Sequence, residues 1–340
     1  MVHFDKCKND KKFKFFTGIS VPDFLALYVF IGGDGVVRHL KLNYRLTTPK
    51  KILRSKLSGK DRLFMFLLRL RRGLPLEELA WIFGVSVAYV GEMCYVLTRL
   101  LHLTLRPLQG EIFLSAAQQR LNMPKVMKPF KILRVILDGA SFYIQKPSNF
   151  EHQGKSYSKY KSTNVVHFIV GVSTEAATIF CSQRNEGNMS EKEAVLKSGL
   201  LHLLQKGDGV MTDRGFDLTA ELAHIGCFFY KPPSLGERKC LTPEEEILTK
   251  ALASARVYSE HAIADMKDNR LLQGVIPLTL LPVISDLVYI AAFMRNFVPT
   301  RITNVSVVAK DSETSSVQNV GNACLNQDPD DPDIVMDVLF

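Results

Sequence analysis

Cysteine is sparse in this 340-residue chain, and its six copies are scattered: Cys7, Cys94, Cys181, Cys227, Cys240 and Cys324. None forms a C-x-x-C pair, which argues against a zinc module or a dithiol redox motif and suits a reducing compartment. An apolar leader is missing, because the first residues are polar and lysine-rich, so no secretory signal is expected. An unbroken membrane span is missing as well. The longest apolar stretch, Gly274 to Met294, is interrupted by Pro277, Pro282 and Asp286, and reads as a buried core helix with no membrane partner. Gly32-Gly33-Asp34-Gly35 is glycine-rich but has no following Gly-Lys-Ser/Thr, so it is not a phosphate loop. There is no long internal repeat. Acidic residues are scarce at the start: residues 1–72 hold 17 Lys/Arg against 5 Asp/Glu.

What is present is positive charge, unevenly spread. The whole chain is +9, while residues 303–340 carry one Lys against six Asp and one Glu. A basic body with an acidic end suggests a polyanionic partner, most simply nucleic acid; the plainer alternative is a soluble basic protein with no such partner. The sequons at Asn188 and Asn304 would carry no meaning in a reducing compartment.

Four segments follow from composition and pattern. Residues 1–48 form a basic N-terminal arm and helix. Lysines and phenylalanines alternate in a mobile arm over 1–16, and Ser20 with Pro22 opens a helix over Val21 to Ile31. Residues 49–104 form a small all-α unit. Ser58 caps a helix ending at Gly73, Pro75 opens a short helix to Phe83, Gly84 turns the chain, and Ser86 caps a third helix from Val87 to about Leu103. That order is the grammar of a helix-turn-helix domain, which would bring Ser86 and Tyr89 near DNA, with Lys50, Lys51, Arg54 and Lys56 just upstream to hold phosphates. Val87, Ala88 and Gly91 offer no base-reading groups, so sequence selectivity from this unit is doubtful. Residues 105–302 alternate strands and helices in an α/β pattern, and residues 303–340 read as a disordered acidic tail.

Two apolar runs of the α/β segment end on carboxylates. Val135-Ile136-Leu137 leads into Asp138, and Val210-Met211-Thr212 into Asp213. Asp-Gly also favours turns, so Asp138 alone has a bland reading. A hairpin over 164–182 and a capping box at Ser190 to Glu193, opening a helix to about Leu204, lie between them. Thr242-Pro243-Glu244-Glu245 starts a long helix to about Asn269 that carries Glu260. Spacing groups Glu260 with Ala253, Val257 and Ile263 on a sheet-facing stripe; an exposed pairing with Arg256 or Lys267 is the competing arrangement. Three gathered acids would repel one another unless hard divalent cations sat between them.

At these residues the chain resembles the DDE superfamily endonucleases, the transposase group related to Harbinger elements and bacterial insertion sequences. The pieces are ILDGASFYIQKPSN, YSKYKSTNVVHFIVGVS, SEKEAVLKSGLLHLL, GDGVMTDRGFDL, KPPSLGERKCLTPEEE and ARVYSEHAIADMK followed by GVIPLTL, with LEELAWIFGVSVAYVGEM resembling the family's helix-turn-helix. The resemblance implies an RNase H-like mixed sheet flanked by helices, and DNA cleavage by Asp138, Asp213 and Glu260 holding Mg2+ or Mn2+, two ions in all. It implies a nuclear protein, or a cytoplasmic one in a prokaryote. Arg214, Lys231, Arg238, Lys239 and Lys267 are expected phosphate contacts. Where the family carries Arg after the Glu and Gly-Arg soon after, this chain has His261, Ala264 and Asp265, which removes positive charge beside the site. A host-retained DNA-binding protein that no longer cuts is the alternative reading, and a pure interaction scaffold a third. The family's N-terminal zinc finger has no counterpart here, so a separate DNA-binding partner protein, or a homodimer, is also an expectation.

Overall fold

The computed structural model describes residues 3–4, 9–37, 57–213, 215–236 and 238–297. Lys50, Lys51, Arg54, Lys56 and Arg214, and the expected acidic tail, lie outside the described residues.

Helices α1 (Asp10–Thr17), α2 (Val21–Phe30) and α3 (Gly33–Val37) begin the chain. The expected mobile arm is in part a helix. The Asn9 side chain caps α1 by accepting from the Lys12 N–H at 3.0 Å, and Phe13 is buried. Phe13 packs edge-on against Phe24 and stacks on Phe64, with ring centroids 5.2 and 5.4 Å apart. The phenylalanines interleaved with lysines are therefore anchors that pin the basic segment to the next helices.

Those are α4 (Gly59–Arg72), α5 (Leu76–Phe83) and α6 (Val87–Leu105), followed by short α7 (Leu108–Ile112) and α8 (Ala116–Gln119). Ser58 and Asp61 form a capping box on α4, and Gly73 ends it in the left-handed region at φ 68°. Gly84, at φ 65°, turns α5 into α6 at 103°, the angle of a helix-turn-helix.

The rest is a mixed sheet: β1 (Leu133–Tyr143), α9 (Phe150–Ser156), β2 (Tyr157–Ser158), β3 (Thr163–Val172), β4 (Thr178–Cys181), β5 (Asn185–Glu186), α10 (Glu191–Ser198), β6 (Gly209–Met211), α11 (Thr219–His224), β7 (Phe228–Tyr230), α12 (Pro243–Lys267) and α13 (Ile284–Met294). The sheet runs β2-β3-β1-β6-β7, with β4 and β5 also paired to β3. β1 and β3 are antiparallel, whereas β6 and β7 lie parallel to β1 and to each other. Helices cover both faces in an RNase H-like arrangement. Ile136, Ala140 and Phe142 face α12 and α13, and Val135 and Leu137 face α10 and α11. The helix expected to reach Leu204 stops at Ser198, because Gly199 at φ 80° closes it.

One apolar core runs without a break from Phe13 through Leu97 to Tyr289, across the boundary expected at 104/105. At that seam α6 packs on α13. Leu278–Phe297 is long and apolar enough to cross a bilayer, yet Ile284 and Asp286 to Met294 are all buried inside the protein.

Candidate active site

The sheet register brings two of the expected acids together. Ile136 pairs with Met211 across the parallel β1/β6 ladder. Asp138 and Asp213 each lie two residues further on, the first still inside β1 and the second just past the end of β6, so the two segments deliver them at about the same level. Asp138 is half-buried. Its Oδ1 accepts from the Gly139 N–H at 2.7 Å, and its Oδ2 accepts from Ser259 Oγ at 3.2 Å. Burial pushes the Asp138 carboxyl above the usual carboxylate range; the two donors and Arg256 oppose this, and Asp213 adds to it. Asp213 is half-exposed, and Arg256 Nη1 lies 3.2 Å from its Oδ1.

Both α12 contacts come from one turn, Arg256 and Ser259. The third expected acid, Glu260, does not point to the sheet: it is solvent-exposed. The reason is helical phase. Leu252, Ala255, Ser259, Ala262 and Met266 form the buried stripe, while Ala253 and Glu260 fall off it. Glu260 lies one turn beyond Arg256, at the outer edge of the site.

Sequence reasoning missed Arg256 and Ser259 as site residues, although their spacing from each other and from Glu260 carried the signal. It also missed Glu191, the first residue of α10, on which Asp138 and Asp213 both bear. A pair on the opposite sheet face escaped notice too. Ser141 Oγ lies 2.9 Å from His167 Nδ1, and His167 Nε2 lies 3.1 Å from the Gly187 carbonyl. A carbonyl only accepts, so Nε2 carries the hydrogen and Ser141 donates to Nδ1.

The expected phosphate contacts divide. Lys267 lies beside Asp138 and Lys161; burial lowers its ammonium pKa, with Lys161 adding and Asp138 opposing. Lys231 is tied to Thr219 at 3.2 Å and Asp217 at 3.7 Å. Arg238 is engaged by Glu245, through Nη1 at 3.0 Å and Nη2 at 2.7 Å, and so closes its loop onto α12. Lys239 is exposed. On the helix-turn-helix, Ser86 is exposed and its Oγ caps α6 by accepting from the Tyr89 N–H at 3.2 Å. Tyr89 itself is buried, which corrects the expectation that it reaches DNA: α6 turns it toward the core together with Val90 and Met93. The outward neighbours are Val87, Ala88 and Trp81, the last 86% exposed.

Comparison with curated proteins and with solved structures returned no match. Family comparison did: residues 137–296 match the DDE superfamily endonuclease, and residues 55–107 match the helix-turn-helix of DDE superfamily endonuclease. The first match spans the sheet from Leu137 through α13, and the second spans α4 to α6. With both parts present in sequence order and meeting across one core, the chain belongs to the DDE endonuclease superfamily.

Proposed function

We propose that this chain is a divalent-metal-dependent DNA endonuclease of the transposase kind, with Asp138 and Asp213 as its cation-holding pair. The observation that carries the reading is the parallel β1/β6 register, which sets Asp138, midway along β1, level with Asp213, just past the end of β6. The donor set suits Mg2+ or Mn2+: the oxygens are hard, and the Asp138 carboxylate is hydrogen-bonded by neutral donors alone, with Arg256 engaged at Asp213 and Lys267 nearby. Among the described residues no three Asp, Glu, His or Cys side chains surround a single point closely enough to hold an ion as they stand. Bound ions, two in the mechanism that the resemblance implies, would supply charge that stabilises the attacking and leaving oxygens of a phosphodiester.

The protein's own side chains do the rest. Ser259 and Gly139 orient the Asp138 carboxylate, and Arg256 holds Asp213. Lys267 and Lys161 supply positive charge beside Asp138 for a phosphate backbone. Glu260, at the rim, is the third acid named by the resemblance. The helix-turn-helix grips DNA through its exposed first turn, with Lys50, Lys51, Arg54 and Lys56, upstream in the sequence, as phosphate contacts. Val87 and Ala88 read no base edges, so choice of sequence falls to other contacts or to a separate partner protein.

Nicking of supercoiled plasmid with Mn2+ tests this. The wild type is expected to nick, and Asp213→Asn to lose at least about a hundredfold in rate, a loss of several kcal/mol of charge stabilisation. Nicking that survives the substitution removes the assignment. Salt-dependent DNA binding with no metal-stimulated nicking in the wild type favours the non-cutting alternative. Trp81 is the single tryptophan, so its emission reports duplex arrival at the helix-turn-helix directly.

A further inference from the structure

We infer that the acidic segment 303–340 of this chain docks on the basic, aromatic face formed by α1 and the end of α4. The segment itself lies outside the described residues. The make-up of that face and the point where the described chain ends are what single it out.

The face starts from two phenylalanines without cover. Phe15 is 56% exposed and Phe16 42%, and their rings meet edge to face with centroids 5.2 Å apart. Lys11 and Lys12 stand one turn earlier on the same helix, four residues before Phe15 and Phe16, and both are exposed. From α4, Arg72 lays its guanidinium over Phe15, with Cζ 4.3 Å from the ring centroid. Arg270 arrives from the turn after α12: its backbone lies 3.1 Å from where a β-carbon on Gly73 would stand. Burial lowers the Arg72 pKa, and the charges of Arg270 and Arg71 lower it further. Among the described residues Lys11, Lys12, Arg72 and Arg270 have no ion pair, and Arg71 has Asp268 at 3.8 Å. Asp10, the one acid of α1, accepts from the Val21 N–H at 2.7 Å. Single apolar side chains on a surface need no partner, but paired rings among unneutralised cations call for a partner both acidic and apolar. A duplex supplies phosphates and keeps its base faces stacked, so it leaves the rings bare.

Residues 303–340 have the matching composition. Asp328-Pro329-Asp330-Asp331-Pro332-Asp333 puts four carboxylates within six residues, and Ile334-Val335-Met336-Asp337-Val338-Leu339-Phe340 follows at once. The segment also starts close by. Arg295, two residues before the last described residue, lines one cavity with Lys14, Arg71 and Asp268. Thr303 follows Phe297 after at most about 20 Å of chain. Attachment to the same chain keeps the acids near the cations at an effective concentration on the order of millimolar, so weak contacts suffice. Docking withdraws the cations of α1 and α4 from any other polyanion.

Carbodiimide cross-linking of the full chain at low salt, which joins a carboxylate to a lysine amine, tests this. Links are mapped by mass spectrometry on an equal mixture of isotopically light and heavy protein. Links from Asp328 to Asp337 are expected to concentrate on Lys11 and Lys12 and to join residues of one chain. Phe15→Ala with Phe16→Ala is expected to lower them at least about fivefold, the loss of two ring contacts. Asp328→Asn, Asp330→Asn, Asp331→Asn and Asp333→Asn together leave the described body untouched, and are expected to lower the links that remain from Asp337. Links spread evenly over exposed lysines such as Lys239 overturn the docking, as do links that join light chains to heavy ones. Links to Lys11 and Lys12 that persist undiminished in either variant overturn it too.

Discussion

Asp286 and Asp138 are both carboxylates carried well into the protein, and they are treated in opposite ways. Asp286 lies on α13 at the seam with α6, where Arg99 Nη1 stands 2.6 Å from one oxygen and His102 Nδ1 3.2 Å from the other. Asp138 lies on β1 and receives a backbone N–H and a serine hydroxyl, with its nearest guanidinium already engaged by Asp213. A buried charge is tolerated when its partner is built in; one left short of positive charge costs stability unless something else supplies it. The seam is thus neutralised by direct ion pairs, whereas among the described residues Asp138 has no direct ion pair and feels Arg256 and Lys267 only through space.

The contrast predicts substitutions of opposite sign. The largest effect falls at the seam. Asp286→Ala leaves His102 and Arg99 facing a void and is expected to cost about 3 kcal/mol in denaturant unfolding, the low end for a broken buried pair because Arg99 is half-exposed. A cost below about 1 kcal/mol would show that the seam is held by apolar packing alone.

The pH profile sharpens the same point. Burial lowers the His102 pKa, Asp286 opposes this, and Arg106 and Arg99 reinforce it. A lowered histidine pKa means that the folded state resists the proton. Stability is therefore full above the unfolded value of about 6.5 and falls as pH drops below it. His102→Gln is expected to flatten that acid-side slope in melting curves below about pH 6.5; an unchanged slope would assign it to other groups.

The smallest effect is the reverse in sign. The Asp138 carboxyl is raised by burial, so its contribution runs against folding as pH climbs above the unfolded value of about 3.8 and is complete above the folded pKa. Asp138→Asn is expected to stabilise the metal-free protein by about 0.5 kcal/mol at neutral pH and to lose that advantage in acid, on the scale of modest electrostatic relief. Destabilisation at neutral pH would place Asp138 with Asp286 as a structural carboxylate.

Much of this was readable from the chain. Asp138 and Asp213 end apolar runs, and the register Ile136 to Met211, which the sequence does not specify, aligns them. The helix-turn-helix was carried by Gly84 and the Ser86 cap, both local signals. What escaped depended on phase or on tertiary packing. Glu260 was assigned to the sheet side by choosing Ala253 and Val257 as its stripe, but Ser259 one residue earlier lies on the buried line, and a helix turns about 100° per residue. Tyr89 was read outward because it follows the cap, yet it is buried. Phe13, set among lysines, shows no helical period strong enough to reveal an anchor. Glu191 was hidden inside a capping box that explained Ser190 and Glu193 without it. Its place beside the two strands depends on the bare backbone at Gly139 and Gly215, which no local pattern announces.

Helix α6 has a mechanical consequence. Its 19 residues span about 28 Å, with Ser86 at the open end and His102 fixed to α13 at the other. A rigid strut, not a tether, joins the helix-turn-helix to the sheet domain. On the proposed function, breaks in DNA should fall at one constant offset from the bound turn of the double helix, with little scatter, and lengthening the strut by a single residue would swing that offset around the duplex as well as along it.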